Sequence, residues 1–430
     1  MTGISDLYTL YLQHPAVTTD SRTGPAGAVF FALKGASFDG NQFAEKALQA
    51  GCAYAVIDDP KVKTGDRMLL TNNVLHTLQQ LARLHRETLG IPIIGVTGTN
   101  GKTTTKELLA AVLSVKYRVL STQGNLNNHI GVPLTLLRLT RRHEMGVVEM
   151  GANHPGEIRD LAQMVRPDYG LITNVGCAHL EGFGSPEGVI RAKGELYDYL
   201  RKTNGKIFIH RDNPHLQAMA GGLEQITYGT GPDAYIRGEV TDRHPCLRLR
   251  WTQQHGITHT VDTHLAGDYN LWNVLAAVAA GRHFNIPPDS INAAIAACEP
   301  ADHRSQWKKT ARNELIIDAY NANPDSMQAA LKNFATLPVR PKAVILGDMH
   351  ELGINSPAFH EAIVKQLQTF DFDRTLLCGK QFAAVASSRY PCFPDTETLT
   401  GHLTLNPLQG YHILIKGSRA VHLEKVIDRL

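Results

Sequence analysis

One stretch constrains the fold of this chain more than any other. It is an apolar run that ends in a glycine-rich loop and continues into a helical pattern. Residues 91–107 read IPIIGVTGTNGKTTTKE, and apolar residues follow at helical spacing at Leu108, Leu109, Val112 and Leu113. Glycines let the backbone curl so that its N–H groups point inward, and a helix start adds partial positive charge. The stretch therefore predicts a strand, a phosphate-binding loop and a helix.

The loop departs from the strict Walker spacing, which would place a glycine where this chain has Val96. Lys102 provides a mobile cation for the β- and γ-phosphates of a nucleotide, and Thr103 provides a hydroxyl for Mg²⁺. We expect the nucleotide contacts of this loop at Gly98, Thr99, Asn100, Gly101, Lys102, Thr103 and Thr104.

Composition narrows the class of protein. The 430 residues carry a net charge of only +3 and no basic run, which gives no electrostatic support for bulk binding to nucleic acid or membranes. The apolar segments have the length of strands, so we expect no transmembrane helix and no insertion into a membrane. The six cysteines form no C-x-x-C pair, and the N-terminus lacks the pattern of a signal peptide. These features predict a cytoplasmic protein without disulfides or a zinc framework.

The chain divides into α/β units. Its length predicts two to three domains, and alternating apolar strands and helical patterns favour three. We predict a small N-terminal α/β domain at 1–87, a central parallel-sheet ATPase domain of the P-loop type at 88–299, and a C-terminal Rossmann-like, doubly wound domain at 300–430. Predicted strands at 29–33 and 53–57 define the first domain.

Polar and charged residues follow several predicted strands. Lys102, Glu149 and His179 each come after an apolar run in the central domain. Ligands of open parallel sheets bind beyond the carboxyl ends of the strands, so we expect these three side chains at one site. Lys193 lies in a helical segment that follows. In the first domain, Arg22 and Lys34 flank a strand, and their surroundings fit either two polar turns or a loop that binds an anion.

Short motifs spread along nearly the whole chain resemble those of the Mur ligase family. They lie at 20–22, 33–41, 98–103, 149–158, 178–184, 192–195, 320–326, 347–353 and 416–419. The resemblance implies an ATP-dependent ligase that forms a peptide bond through an acyl phosphate. Its implied substrates are UDP-N-acetylmuramoyl-tripeptide, with diaminopimelate or lysine as third peptide residue, and D-alanyl-D-alanine. The implied product is the pentapeptide precursor of peptidoglycan, and we expect a monomer.

The resemblance also implies roles for individual residues. Lys102, Glu149, His179 and Lys193 would be catalytic. Thr103 and Glu149 would hold one Mg²⁺, and His179 would hold a second together with Lys193, carbamylated by CO₂. ATP would further contact Asn270, Asn273, Arg304 and Asp318. The UDP substrate would contact the N-terminal domain and the dipeptide the C-terminal one, at Ser21, Arg22, Lys34, Gly35, Asn321, Asn323, Asp325 and Ser326.

Two other functions fit the phosphate loop. One is another acid–amino-acid ligase of the same superfamily, such as a folylpolyglutamate synthase, against which the N-terminal motifs argue. The other is a P-loop NTPase that hydrolyses ATP to switch or move a partner. Release of phosphate that requires both a carboxylate acceptor and an amine distinguishes a ligase from such a switch.

Overall fold

The computed structural model describes residues 2–254, 256–300, 303–386 and 388–430, and within them the strands form three separate sheets. The first sheet has the order β1-β2-β3-β4, and its neighbouring strands are parallel. Its strands are β1 (Val17–Thr18), β2 (Val29–Phe31), β3 (Tyr54–Ile57) and β4 (Met68–Leu70), and its helices are α1 (Ile4–Gln13), α2 (Ala44–Gln49) and α3 (Val74–Leu89).

The second sheet has the order β13-β12-β11-β10-β9-β8-β5-β7-β6. Neighbours from β6 through to β11 are parallel, and β12 and β13 are added antiparallel at one edge. Its strands are β5 (Ile93–Thr97), β6 (Val119–Ser121), β7 (Met145–Glu149), β8 (Tyr169–Ile172), β9 (Lys206–His210), β10 (Glu224–Gly229), β11 (Ile236–Asp242), β12 (Arg248–Gln253) and β13 (Thr258–Asp262).

Helices cover both faces of this sheet, as a parallel sheet requires. They are α4 (Lys102–Ser114), α5 (Gly131–Leu136), α6 (Glu157–Val165), α7 (Leu180–Phe183), α8 (Pro186–Thr203), α9 (Pro214–Met219), α10 (Asn270–His283) and α11 (Pro288–Ala296). One apolar cluster packs α4 and α10 against β5, and a second packs α6 and α8 on the other side.

The third sheet has the order β14-β15-β19-β16-β17-β18, with β14 antiparallel to β15 and the other pairs parallel. Its strands are β14 (Gln306–Lys309), β15 (Glu314–Asp318), β16 (Lys342–Gly347), β17 (Arg374–Cys378), β18 (Cys392–Phe393) and β19 (His412–Lys416). Its helices are α12 (Pro324–Thr336), α13 (Ser356–Leu367), α14 (Lys380–Val385) and α15 (Thr396–Leu405).

This architecture confirms the predicted α/β class, with a P-loop unit at its centre and a doubly wound unit at its end. The predicted boundaries at 87 and 299 stay predictions, although each sheet lies within one of the three ranges. The six cysteines are free, as expected. Among the described residues, no helix has both the length and the apolar character needed to span a membrane.

Candidate active site

A cleft of about 1580 Å³ lies where residues of the three predicted domain ranges, 1–87, 88–299 and 300–430, meet. These are called the first, second and third range below. Its walls include α3 of the first range, the carboxyl ends of central strands and loops of the third range. Most of the predicted nucleotide, metal and dipeptide contacts line it, namely Thr99, Asn100, Gly101, Lys102, Thr103, Thr104, Glu149, His179, Asn270, Asn273, Arg304, Asp318, Asn321, Asn323, Asp325 and Ser326.

The predicted phosphate loop connects β5 directly to α4. Gly98 and Gly101 have φ angles of 138° and 77°, which residues with a side chain rarely adopt. A Cβ on Gly98 would lie 2.0 Å from Thr173 Oγ1, and one on Gly101 would lie 2.6 Å from Asn273 Oδ1. Both positions therefore require glycine, for the backbone angle and for the close approach of neighbours.

Lys102 is the first residue of α4, and its amine folds back over the loop. Its Nζ donates hydrogen bonds to the carbonyl oxygens of Gly98 and Thr99, at 2.8 and 3.0 Å. Burial lowers the pKa of Lys102, and the nearby carboxylate of Glu149 opposes that shift. The amine thus lies where the loop and the helix N-terminus would hold the phosphates of a nucleotide.

Glu149 ends β7 and is 1% exposed. Its Oε1 accepts a hydrogen bond from Asn127 Nδ2 at 2.7 Å, whereas its buried Oε2 has no partner among the described residues. A buried carboxylate oxygen without a partner is costly, and a hard divalent cation is the ligand that would satisfy it. With the buried hydroxyl residue Thr103 on the same cleft, the donor set fits Mg²⁺.

His179 precedes α7 and has a left-handed backbone, with φ at 51°. Its Nδ1 lies 2.7 Å from Glu351 Oε2, although the angles of this close contact are not those of a hydrogen bond. His179 is the main cause that lowers the pKa of Glu351. Glu351 belongs to the third range, so this contact joins two of the three ranges at the cleft.

Lys193 lies on α8 behind the cleft wall and is 2% exposed. Its Nζ donates to the carbonyl oxygen of Ala152 at 3.1 Å and lies 5.1 Å from the centre of the Phe183 ring. Burial, assisted by the charge of Lys102, lowers the pKa of Lys193 to about 7. A large share of this amine is therefore neutral and nucleophilic near neutral pH.

The two asparagines predicted on the nucleotide side are buried at the start of α10. Asn273 Nδ2 donates to Asn270 Oδ1 at 2.8 Å, and Asn273 Oδ1 accepts from Thr105 Oγ1 at 3.0 Å. These bonds connect α10 to α4. The asparagines thus brace the helix that carries Lys102 as well as lining the cleft.

Arg304 and Asp318 lie on the opposite wall. The Arg304 guanidinium stacks 3.5 Å from the centre of the Tyr320 ring, and its buried Nε has no partner within the described chain. Asp318 Oδ2 accepts a hydrogen bond from Lys416 Nζ at 2.5 Å. A positive guanidinium held flat by an aromatic ring is suited to a phosphate.

The loop before α12 reaches across the cleft to the phosphate loop. Asn323 caps α12 by accepting from the Ser326 N–H, and its Nδ2 donates to Asn100 Oδ1 at 2.7 Å. Asp325 Oδ2 accepts from the N–H of Cys177 at 2.7 Å. Residues predicted to contact the incoming amine are therefore adjacent to the predicted nucleotide site.

Comparison with known proteins decides the family. Three family models match this chain. The model described as “Mur ligase family, catalytic domain” matches residues 15–111, “Mur ligase middle domain” matches 96–281, and “Mur ligase, glutamate ligase domain” matches 303–419. UDP-N-acetylmuramoyl-tripeptide–D-alanyl-D-alanine ligase of Bacillus subtilis is 36% identical over 427 residues, which cover 96% of this chain and 92% of that protein. The chain belongs to the Mur ligase family.

Further comparisons agree with this assignment. The Escherichia coli ligase of the same name is 36% identical and covers 96% of this chain and 93% of its own length. The crystal structure of MurF ligase from Thermotoga maritima in complex with ADP superposes with a TM-score of 0.86 at 28% identity, covering 97% of both chains. A folylpolyglutamate synthase of Mycobacterium tuberculosis, at 15% identity and a TM-score of 0.63, shares the fold alone.

Some predicted residues of this Mur ligase lie outside the cleft walls. Gly98 and Lys193 lie behind them, and Ser21, Arg22, Lys34 and Gly35 lie in loops next to the first sheet. Arg22 pairs with Asp20 at 3.0 Å, and Lys34 pairs with Asp58 at 2.9 Å. These residues follow β1 and β2 at the carboxyl edge of the first sheet, so an anion-binding loop and polar turns both stay open as interpretations.

Three residues that contact predicted site groups were not assigned from the sequence. Asn127 binds Glu149, Asn174 Oδ1 accepts from the N–H of Asn100 at 2.9 Å, and Glu351 approaches His179. Only Glu351 had a signal, since it lies in the motif at 347–353. The sequence around Asn127 is polar, which is typical of a loop and points to no role in the site.

Proposed function

We propose that this Mur ligase joins D-alanyl-D-alanine to UDP-N-acetylmuramoyl-tripeptide, with ATP converted to ADP and phosphate, and so forms the pentapeptide precursor of peptidoglycan. The observation that carries the proposal is similarity over nearly the full chain to relatives that bear this name. The ADP complex of a superposable structure supports the use of ATP. The free cysteines fit a reducing cytoplasm, and we infer that the enzyme is a monomer.

The reaction has to make a carboxylate electrophilic. A carboxylate oxygen of the tripeptide attacks the γ-phosphorus of ATP, the bond to the ADP oxygen breaks, and an acyl phosphate forms. The neutral amine of the dipeptide then attacks the acyl carbon, phosphate leaves with the bonding pair, and the amine loses a proton. Because two anions meet in the first step, the site must neutralise charge.

Residues at the phosphate loop provide this neutralisation. The amine of Lys102 exchanges its bonds to Gly98 and Thr99 for phosphate oxygens, and the N-terminus of α4 contributes N–H groups. Thr103 and Glu149 would hold one Mg²⁺, and His179 with a carbamylated Lys193 would hold a second. Mg²⁺ held by these residues would supply positive charge that reduces repulsion between the reacting anions.

The surroundings of Lys193 support its carbamylation. The neutral amine attacks the carbon of CO₂, an N–C bond forms, and the proton that the nitrogen loses passes to water. The product carries a negative carboxylate-like group, which a bare lysine cannot offer to a metal. Burial and the lowered pKa of about 7 support this modification, because only the neutral amine reacts.

The remaining residues divide among the substrates. Asn270 and Asn273 would face the adenine side, and Arg304 and Asp318 the phosphates and ribose. The loop Asn321, Asn323, Asp325 and Ser326 would receive the dipeptide, while Ser21, Arg22, Lys34 and Gly35 would hold the uridine nucleotide. The domain ranges 1–87, 88–299 and 300–430 then correspond to binding of the UDP substrate, ATP and the amine.

A coupled assay of phosphate release tests the proposal. Purified protein with ATP and Mg²⁺ receives UDP-muramoyl-tripeptides ending in diaminopimelate or lysine, with D-alanyl-D-alanine present or omitted. We expect one phosphate released per pentapeptide formed, and release only when both substrates are present. Release from ATP alone would overturn the proposal in favour of an NTPase switch, and turnover with a folate and glutamate would favour a folylpolyglutamate synthase.

A further inference from the structure

Two histidines and a glutamate form a compact cluster away from the active-site cleft. Glu314 Oε2 lies 3.8 Å from His244 Nε2 and 3.4 Å from His412 Nδ1. In the described parts of the chain, this is the one group of three His, Cys, Asp or Glu residues whose ligand atoms all lie within 4.8 Å of one another. None of the three lines the cleft.

The three residues come from two different units. His244 lies in the loop between β11 and β12 of the central sheet, whereas Glu314 begins β15 and His412 begins β19 of the third sheet. Glu314 and His412 are register partners on adjacent parallel strands, so the sheet fixes their relative position. A ligand bound by all three would join the central unit to the C-terminal one.

The spacing fits a borderline divalent cation such as Zn²⁺. Nitrogen and carboxylate ligands bind Zn²⁺ at about 2.0–2.2 Å, so ligand atoms of a tetrahedral site lie about 3.4 Å apart. One observed separation equals this value, and the other exceeds it by less than half an ångström. The third separation, between ligand nitrogens of the two histidines, is within 4.8 Å.

The surroundings provide both space and support. A small cavity of about 10 Å³ opens beside the cluster, with Ile316, Phe334 and Leu337 among its apolar walls. An apolar shell lowers the local dielectric and strengthens the binding of a cation by its ligands. Between a fifth and a third of each ligand side chain is exposed, which leaves a path for the metal to enter.

The ligands are also held in place, and Glu314 Oε1 lies 3.7 Å from Lys309 Nζ. The His244 loop is anchored by Asp242 Oδ1, which accepts from the His244 N–H at 3.2 Å, and by Arg243, whose Nε donates to Asp268 at 2.7 Å. Glu314 and His412 are held by the pairing of β15 with β19, and all three side chains are partly exposed.

We propose that His244, Glu314 and His412 form a Zn²⁺-class site, with a water as fourth ligand, that fastens the β11–β12 loop of the central unit to β15 and β19 of the C-terminal unit. The site is independent of the catalytic Mg²⁺ ligands. It ties the two units together at one point, whereas other faces of the same units line the active-site cleft.

A Zn²⁺ titration tests the site, with a chromophoric chelator competing with the protein for the metal. The full-length protein is first stripped of metal and then kept in excess Mg²⁺. We expect one equivalent of Zn²⁺ to bind the wild type, and His244→Gln and His412→Gln each to weaken binding about tenfold or more. The matched control is His264→Gln, because His264 forms a similar pair with Glu299 at 3.4 Å but belongs to no such cluster among the residues that the structure describes. Glu149→Gln should also retain the equivalent, which separates this site from the active site.

Hydrogen exchange gives a second readout. Zn²⁺ should slow exchange of the backbone amides at 243–247 and 412–416 in the wild type and leave them unchanged in His244→Gln, provided that both proteins melt cooperatively without metal. The proposal is overturned if the wild type binds no equivalent, or if the cluster variants bind Zn²⁺ as tightly as His264→Gln does. If His244→Gln fails to fold, Glu314→Gln and His412→Gln decide the question by the same criterion.

Discussion

At the scale of single residues, we expect the largest loss of activity from the removal of Lys102. Its amine is already at the phosphate loop and, within the described residues, bonds only backbone carbonyls, so its removal takes away a cation without breaking an ion pair seen there. Lys102→Ala should lower ligation about 10³-fold or more, with the melting temperature preserved. The coupled phosphate assay and a melting curve check this. The matched control, Lys202→Ala at an exposed position of the same central unit, should keep wild-type turnover.

Lys193 differs from Lys102 in the charge that its proposed modified form provides. Lys193→Ala should lose most activity, and added acetate or formate should restore part of it by supplying a carboxylate in the vacated space. Rescue is partial because a free anion loses translational freedom that a tethered carbamate does not. The same salts should leave Lys102→Ala inactive, where a cation is missing. A Lys193→Ala enzyme that is fully active without added carboxylate would contradict the carbamate.

At the scale of elements, the features that follow from a local sequence pattern were predictable. The β5–loop–α4 unit and the position of Glu149 at the end of β7 follow from apolar runs and glycine placement, which are properties of neighbouring residues. The partners of Glu149 and His179 were not predictable in this way. Asn127 is 22 positions from Glu149 in the sequence, and Glu351 is 172 positions from His179. Hydrophobic periodicity does not predict contacts between residues so far apart.

The phosphate loop gives a test at this scale. Gly101→Ala combines a strained φ of 77° with a Cβ 2.6 Å from Asn273 Oδ1, so the loop must shift away from α10. Loss of one charge-assisted hydrogen bond to phosphate costs about 1.5–3 kcal/mol, which raises KM for ATP about tenfold or more. Gly27→Ala is the control, since Gly27 has a φ of 79° and no neighbour within 4 Å. Equal KM values for the two variants would contradict the role of close packing.

At the scale of the whole molecule, the two junctions of the central unit differ in strength. The first range is bound through α3, whose buried Arg86 donates to the carbonyl oxygens of Val165 and Arg166, both at 3.0 Å. Apolar residues of α1 and α3 share one cluster with α6 and α8. A boundary at 87 therefore falls inside a helix that packs on both units, and the two should move together.

The junction with the C-terminal unit consists, at the cleft, of polar contacts such as Asn100 with Asn323 and Cys177 with Asp325. Polar interfaces of this kind permit relative motion of domains. We expect an open form without ligands and closure when nucleotide and UDP substrate are bound, with the C-terminal unit moving against the other two.

Small-angle scattering measures this closure directly. A single compact domain of this length would have a radius of gyration of about 22 Å, and a cleft between units raises that value in the free enzyme. A non-hydrolysable ATP analogue with the UDP substrate should lower the radius, whereas either ligand alone should lower it less, because each leaves part of the cleft unbridged. Asn323→Ala, which removes the contact to Asn100, should require more ligand for the same compaction. An unchanged radius with both ligands at saturation would show that the units are already fixed.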